Sequence, residues 1–184
     1  MTLRLAPGPE DGLPIVARAL HDKSGRRRGA DQVARGETAP PVPIFVLEAD
    51  ALDDVEPLAH AYPVGWRYVA RRGGVTVDVE LSYDEEGALE LYGTRTGRGA
   101  ALLLAVARRA ERDYDACGDF EVRLLRIPAL YLEALWLTSP EKQLFLSLER
   151  ASRSWPMLEE GQARRQLMQR AMESYDEIST AQSG

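Results

Sequence analysis

The chain has 184 residues, 45% of them apolar, and a formal net charge of -6. That length and apolar content suit one ordinary domain with a core of its own. The charge sets the surface as a whole against nucleic acid and anionic membrane, so either partner would need a local basic patch.

The uninterrupted apolar runs, 100–107 and 127–132 with its continuation 134–137, fall far short of the roughly 20 residues a membrane helix requires. The opening MTLRLAPGPEDG lacks the apolar stretch of a secretory signal. The single cysteine, Cys117, cannot close an internal disulfide or assemble a zinc cluster, which agrees with a reducing compartment. The expected address is the cytoplasm, with no membrane insertion.

Residues 1–43 read as an N-terminal segment that ends in a linker. Within it LPIVARAL, 13–20, fits a short strand and one or two helical turns equally well. Residues 21–43 carry four basic side chains from Lys23 to Arg28, several glycines and three prolines, with little to bury; a flexible linker is expected. A core domain then spans 44–150. A short strand starts at Ile44, and a helix is predicted over 49–61, with Asp50 as N-cap, a stripe of Leu52, Val55, Leu58 and Ala59, and Pro57 weakening it.

The clearest signal begins at Gly65. In VTVDVELSY, 75–83, Val75, Val77, Val79, Leu81 and Tyr83 share one face, while Thr76, Asp78, Glu80 and Ser82 share the other. Gly73-Gly74 supplies a tight hairpin before that run and Asp84 to Gly87 a longer one after it, so 66–71, 75–83 and 88–92 form a three-strand meander. A helix over 98–113 follows, with Leu102, Leu103, Val106 and Ala110 as its apolar stripe. Residues 120–127 make a fourth long strand.

RIPALYLEALWL, 126–137, satisfies the helical and the strand periodicity alike. The preceding strand, Pro128 at the junction and the length of 130–137 favour two strands joined at Pro128-Ala129, the second buried on both faces. Arg126 and Glu133 then need partners or an edge, because an unpaired buried charge costs several kcal/mol. A short strand over 144–148 and a helix over 156–175 complete the chain, and 151–184 is expected to be that helix with a short disordered tail. The fold class is α+β: a mainly antiparallel sheet, the meander plus further strands after a crossing helix, with helices on one face and a C-terminal helix.

GTRTGRG, 93–99, invites a phosphate-loop reading, but it matches neither GxxxxGK[ST] nor GxGxxG and reads as a strand-to-helix turn capped by Thr94 or Thr96. The two histidines, His21 and His60, have no ligand spacing, and no serine lies in a nucleophile elbow. No catalytic, cofactor-binding or metal-binding residue is assigned, and no cofactor is expected. VGWRYVA, 64–70, together with LLRIPALYLEALWL, 124–137, resembles a group of uncharacterised bacterial proteins with GWRY-like and RIPALY-like segments at similar separation. The resemblance covers 44–148 and implies no activity, so no functional residue is carried over.

The function expected from these features is that of a non-catalytic interaction or accessory protein of a bacterial cytoplasmic assembly, with a protein partner or self-association. One candidate surface is the face of the terminal helix formed by Met157, Leu167, Met168, Met172 and Tyr175, where methionines supply adaptable apolar contact. A second candidate, a pocket or interface, comprises Trp66, Arg67, Tyr92, Arg126, Tyr131, Glu133 and Trp136; as a pocket between sheet and helix it would serve a small ligand-binding or enzymatic domain. A third reading, disfavoured by the net charge, is nucleic-acid binding through Arg95, Arg98, Arg108, Arg109 and Arg112.

Overall fold

Alternation of apolar and polar residues recurs strand after strand, and in the computed structural model it builds one nine-stranded sheet. The structure describes residues 4–22, 39–72, 74–97, 100, 102–103, 105, 112, 119–148, 158–159, 161–162 and 165. Its strands are β1 (Arg4–Leu5), β2 (Val42–Val46), β3 (Tyr62–Arg72), β4 (Val75–Tyr83), β5 (Leu89–Thr96), β6 (Glu121–Ile127), β7 (Leu132–Thr138), β8 (Gln143–Ser147) and β9 (Leu158–Glu159). They lie in the order β5-β4-β3-β2-β6-β7-β8-β9, and β1 pairs with the start of β6.

The meander β3-β4-β5 and the hairpin β6-β7 form as their turn residues dictate. Gly74 takes the positive φ of a tight turn, and Pro128–Leu130 makes one turn of 3-10 helix between β6 and β7. The sheet is mixed, which corrects the mainly antiparallel expectation in part: β2 and β1 both run parallel to β6. Parallel neighbours need a long crossover, and the meander with the segment that follows it supplies one between β2 and β6.

Helices cover both faces rather than one. The helix α1 (Gly12–Asp22) places Val16, Ala19 and Leu20 at helical spacing against Tyr68, Ala70, Val77, Val79 and Leu81. Ala100 and Leu103, both helical, pack on the opposite face with Val42, Ile44, Val69, Val122, Leu124, Leu135 and Leu137. A third apolar cluster lies on the α1 side, where Leu47, Leu125, Ile127, Ala134, Trp136 and Phe145 meet Leu52, Leu58 and Leu130.

Three local expectations change. The segment 13–20 belongs to α1, which extends to Asp22, and β2 begins at Val42, so both ends of the predicted 21–43 linker are regular structure; its middle, 23–38, lies outside the described residues. The helix expected over 49–61 is two turns of 3-10 helix, Ala49–Asp53 and Pro57–His60. Pro57 opens the second turn, where its missing N–H costs nothing, and the first is preceded by Glu48 without a side-chain cap, so Asp50 is not an N-cap. Within the predicted 156–175 helix, Leu158–Glu159 is strand, paired with Leu144 and Phe145, and the Lys142–Glu159 ion pair at 2.7 Å reinforces it; Gly161, Gln162 and Arg165 are helical. Met157, Leu167, Met168, Met172 and Tyr175 lie outside the described residues, as do Arg98, Arg108 and Arg109. No helix among the described residues is long and apolar enough to cross a membrane.

Two buried positions carry measurable consequences. A Cβ on Gly65 would come within 2.0 Å of the Leu81 carbonyl oxygen, so backbone on backbone is the obstacle. The Tyr68 hydroxyl is buried without a hydrogen-bond partner, and burial, with a smaller contribution from Tyr83, pushes its pKa up to about 12. Urea titration is expected to show Gly65→Ala destabilised by about 1–3 kcal/mol, the usual cost of overpacking. Tyr68→Phe removes an unmatched polar group and is expected to be neutral or to gain up to about 1 kcal/mol in the same assay.

Candidate functional site

Antiparallel pairing sets Arg67 of β3 opposite Glu80 of β4, and Arg126 of β6 opposite Glu133 of β7. Residues directly opposite share a face, so each hairpin lays a guanidinium beside a carboxylate. Both pairs project from the face that carries Val42, Ile44 and Leu124, since Arg67 lies opposite Val42 and Arg126 lies beside Val46 of β2.

The two hairpins then exchange partners. Strands β3 and β2 separate β4 from β6, three spacings of about 4.8 Å, yet Arg126 donates from Nη2 to Glu80 Oε2 at 2.6 Å and from Nη1 to Oε1 at 2.5 Å. Arg67 reaches Glu133 with two parallel bonds, Nη1 to Oε2 at 2.8 Å and Nη2 to Oε1 at 2.7 Å. The long arginine and glutamate side chains reach across the gap from both sides. Two further bonds, Arg67 Nη2 to Glu80 Oε2 at 3.1 Å and Arg126 Nε to Glu133 Oε1 at 2.8 Å, complete a ring of two arginines and two glutamates.

Burial fixes the electrostatics of the ring. Arg67 is 3% exposed and Glu80 6%, while Arg126 and Glu133 reach its half-buried rim. Burial alone would raise the glutamates; the hydrogen bonds and charges of Arg126 and Arg67 outweigh it, and both Glu80 and Glu133 titrate below the usual carboxylate range. By the same balance Arg67 and Arg126 hold their protons more tightly than a free arginine.

Asp78, 5% exposed, is the imperfect member. Its Oδ1 lies 3.4 Å from Arg67 Nε, and neither atom has a hydrogen-bond partner. Burial therefore raises the Asp78 carboxyl, with Arg67 opposing only in part. Arg95, on β5, stands opposite Asp78 and comes within 3.8 Å of Glu80 from the solvent side.

The structure brings Arg67, Arg126 and Glu133 together. Trp66 points to the α1 side, where its Nε1 donates to the Tyr83 hydroxyl at 2.9 Å. Trp136 packs between Phe45 and Phe145, with the Arg123 guanidinium 4.9 Å above its ring. Tyr92 is exposed on β5, and Tyr131 is exposed at the β6-β7 tip. Asp78 and Glu80, on the polar face that the alternation of 75–83 predicts, join this site although sequence alone assigns neither to it.

A second polar region lies where β2 and β6 end. Glu48, Asp50, Ala51, Asp54 and His60 line a shallow pocket of about 230 Å³. His60 Nε2 is 3.0 Å from Asp54 Oδ2, and the Tyr62 hydroxyl donates to Glu48 Oε1 at 2.7 Å, a bond that raises the tyrosine pKa. Among the described residues no group of three or more His, Cys, Asp or Glu side chains is placed to hold a metal ion. Comparison with protein-family models, with curated proteins and with solved structures finds no match.

Breaking the ring leaves a buried guanidinium uncompensated. Glu80→Gln and Glu133→Gln are each expected to cost about 3–5 kcal/mol in denaturant titration, and Asp78→Asn much less, because Asp78 lacks a good bond to lose. Glu80 and Glu133 have lowered pKa values in the folded state, so their stabilisation is complete above the unfolded glutamate value and fades as pH falls through their folded values. Thermal unfolding followed from pH 7 to pH 2 is expected to show a steep loss of stability below about 4.5, the ordinary glutamate value, and a shallower one in Glu133→Gln.

Proposed function

We propose that this chain is a non-catalytic interaction protein, an accessory component of a bacterial cytoplasmic assembly, that docks a basic segment of a partner protein at the Tyr131 end of the sheet. The observation that carries the proposal is Tyr131 itself. It is 93% exposed and sits at φ 48°, ψ 31°, the left-handed region that costs a side-chain-bearing residue about 1–2 kcal/mol. Neither burial nor a turn requirement for glycine explains an aromatic ring there. A ring held at a hairpin tip is the kind of anchor that dominates protein interfaces.

The surroundings supply the chemistry of the partner. Parallel β2 and β6 end side by side, and the turns that follow them bury Leu52 and pack the partly buried Leu130 against the same apolar cluster. The carboxylates of Glu48, Asp50 and Asp54 therefore gather at the end of the sheet that presents Tyr131 and Tyr62. An exposed aromatic beside an acidic rim complements an arginine- or lysine-rich segment with an apolar residue. Glu133, two residues from Tyr131, is tied to Arg67 and Arg126, so the base of the tip is pinned.

Tyr131→Gly relieves the backbone and is expected to match the parent stability or exceed it by up to about 1 kcal/mol. The same variant, used as bait beside the parent protein in the native host, is expected to lose specific partners that the parent retains, and those partners are expected to leave the parent as salt is raised. Identical captures by the two baits would refute the docking role of this residue.

A further inference from the structure

Asp78 is buried on the face of the ring, yet its Oδ1 accepts no hydrogen bond. Strand pairing sets it between unlike neighbours. On β3 it stands opposite Val69, 4% exposed, which packs with Ala100 and Leu103 in the apolar cluster; on β5 it stands opposite Arg95. Glu80 is the next side chain on that face of β4, and Glu133 reaches the same Arg67 from β7. Arg71, farther along β3 and opposite Thr76, is exposed.

Three carboxylates, Asp78, Glu80 and Glu133, therefore surround two guanidinia, Arg67 and Arg126. Both glutamates are bonded to both arginines, whereas Arg67 Nε stops 3.4 Å short of Asp78 Oδ1. A third negative charge in this place is not answered by a bonded cation, and burial makes that costly. Arg95 is placed to answer it: its side chain is 64% exposed, it projects on the face of Asp78, and its guanidinium comes within 3.8 Å of Glu80.

We propose that Asp78 binds a proton in the folded chain and that Arg95 closes over the carboxylate when the proton leaves. With Asp78 neutral, the ring holds two cations and two anions, all of them bonded. Burial is the largest influence and raises the carboxyl; Arg67 opposes it, Glu80 and Glu133 add to it, and Arg95 opposes it again. Ionised Asp78 and Glu80 lie one pleat apart on the same face, so one guanidinium drawn inward from β5 spans both. Protonation releases it to solvent. The device makes the cover on the solvent side of the ring depend on pH, and it does not rest on the docking role of Tyr131.

Carboxyl carbon resonances of the full chain, followed by NMR across pH, test both parts. Asp78 is expected to titrate above about 3.8, the ordinary aspartate value, whereas Glu80 and Glu133 titrate below the ordinary glutamate value. Arg95→Gln is expected to move the Asp78 midpoint further up and to leave that of Glu133 in place. In the parent, exchange of the Arg95 Nε–H with solvent is expected to slow as Asp78 ionises. Stability gives a second readout. A carboxyl whose folded value is raised contributes stability that is complete below its unfolded value and is lost as pH rises through the folded one. Asp78→Asn is therefore expected to gain on the parent in thermal unfolding as pH rises through that interval, the opposite of Glu133→Gln. An Asp78 midpoint at or below the ordinary value, as a water bridging it to Arg67 would give, overturns the proton site. A midpoint unmoved by Arg95→Gln, or Arg95 exchange that does not follow the ionisation of Asp78, overturns the closure.

Discussion

Two arginines drawn into a sheet face cannot stay there alone, since an isolated buried charge costs several kcal/mol. Arg67 and Arg126 are held because Glu80 and Glu133 each accept from both of them. Each hairpin brings its own arginine–glutamate pair, and the crossed bonds join β3-β4 to β6-β7 over the intervening β2. An apolar contact tolerates a slip in register; a two-pronged guanidinium–carboxylate pair does not. The ring therefore fixes how the two hairpins lie on either side of β2, and the apolar cluster packs on the same face.

Polar groups consumed in this way are a poor starting point for chemistry on a substrate. The guanidinium nitrogens of Arg67 and Arg126 face carboxylates of the chain, and the glutamates are held ionised by them. What the ring offers instead is rigidity at a distance. Leu132 and Glu133 start β7, so a carboxylate anchored to two strands lies two residues after the left-handed Tyr131. Strain at an exposed residue persists only where the flanking structure over-determines it, and the ring is that structure.

Much of this was legible beforehand, and the limits have physical causes. A tight hairpin predicted from Gly73-Gly74 sets Arg72 opposite Val75, as β3 and β4 do pair, and counting back from there brings Arg67 opposite Glu80. Likewise the Pro128 turn brings Arg126 opposite Glu133, so both local pairs follow from sequence once the hairpins are accepted. The crossed bonds do not, because they depend on β2 inserting between the hairpins and running parallel to β6, a long-range choice with no local signature. For that reason Asp78 and Glu80 read as a solvated face. The 3-10 turns at 49–53 and 57–60 escaped for a different reason: their apolar residues have helical spacing, while Pro57 and the lack of a cap divide the segment. Tyr131 carried no sequence signal of its left-handed backbone, since tyrosine is not a residue that seeks it.

The charges on this face do not stop at the ring. Asp78 lies opposite Arg95, Glu80 lies within 3.8 Å of it, and Glu90 continues the row along β5, so acidic and basic side chains run on past the ring. The bulge at Tyr92 sets that row, because it alone brings Glu90 and Arg95, five positions apart, to a common face. Without the extra residue the same sequence would send one of the two charges to the apolar side of the sheet, so a single irregular residue decides which face of β5 belongs to the polar network.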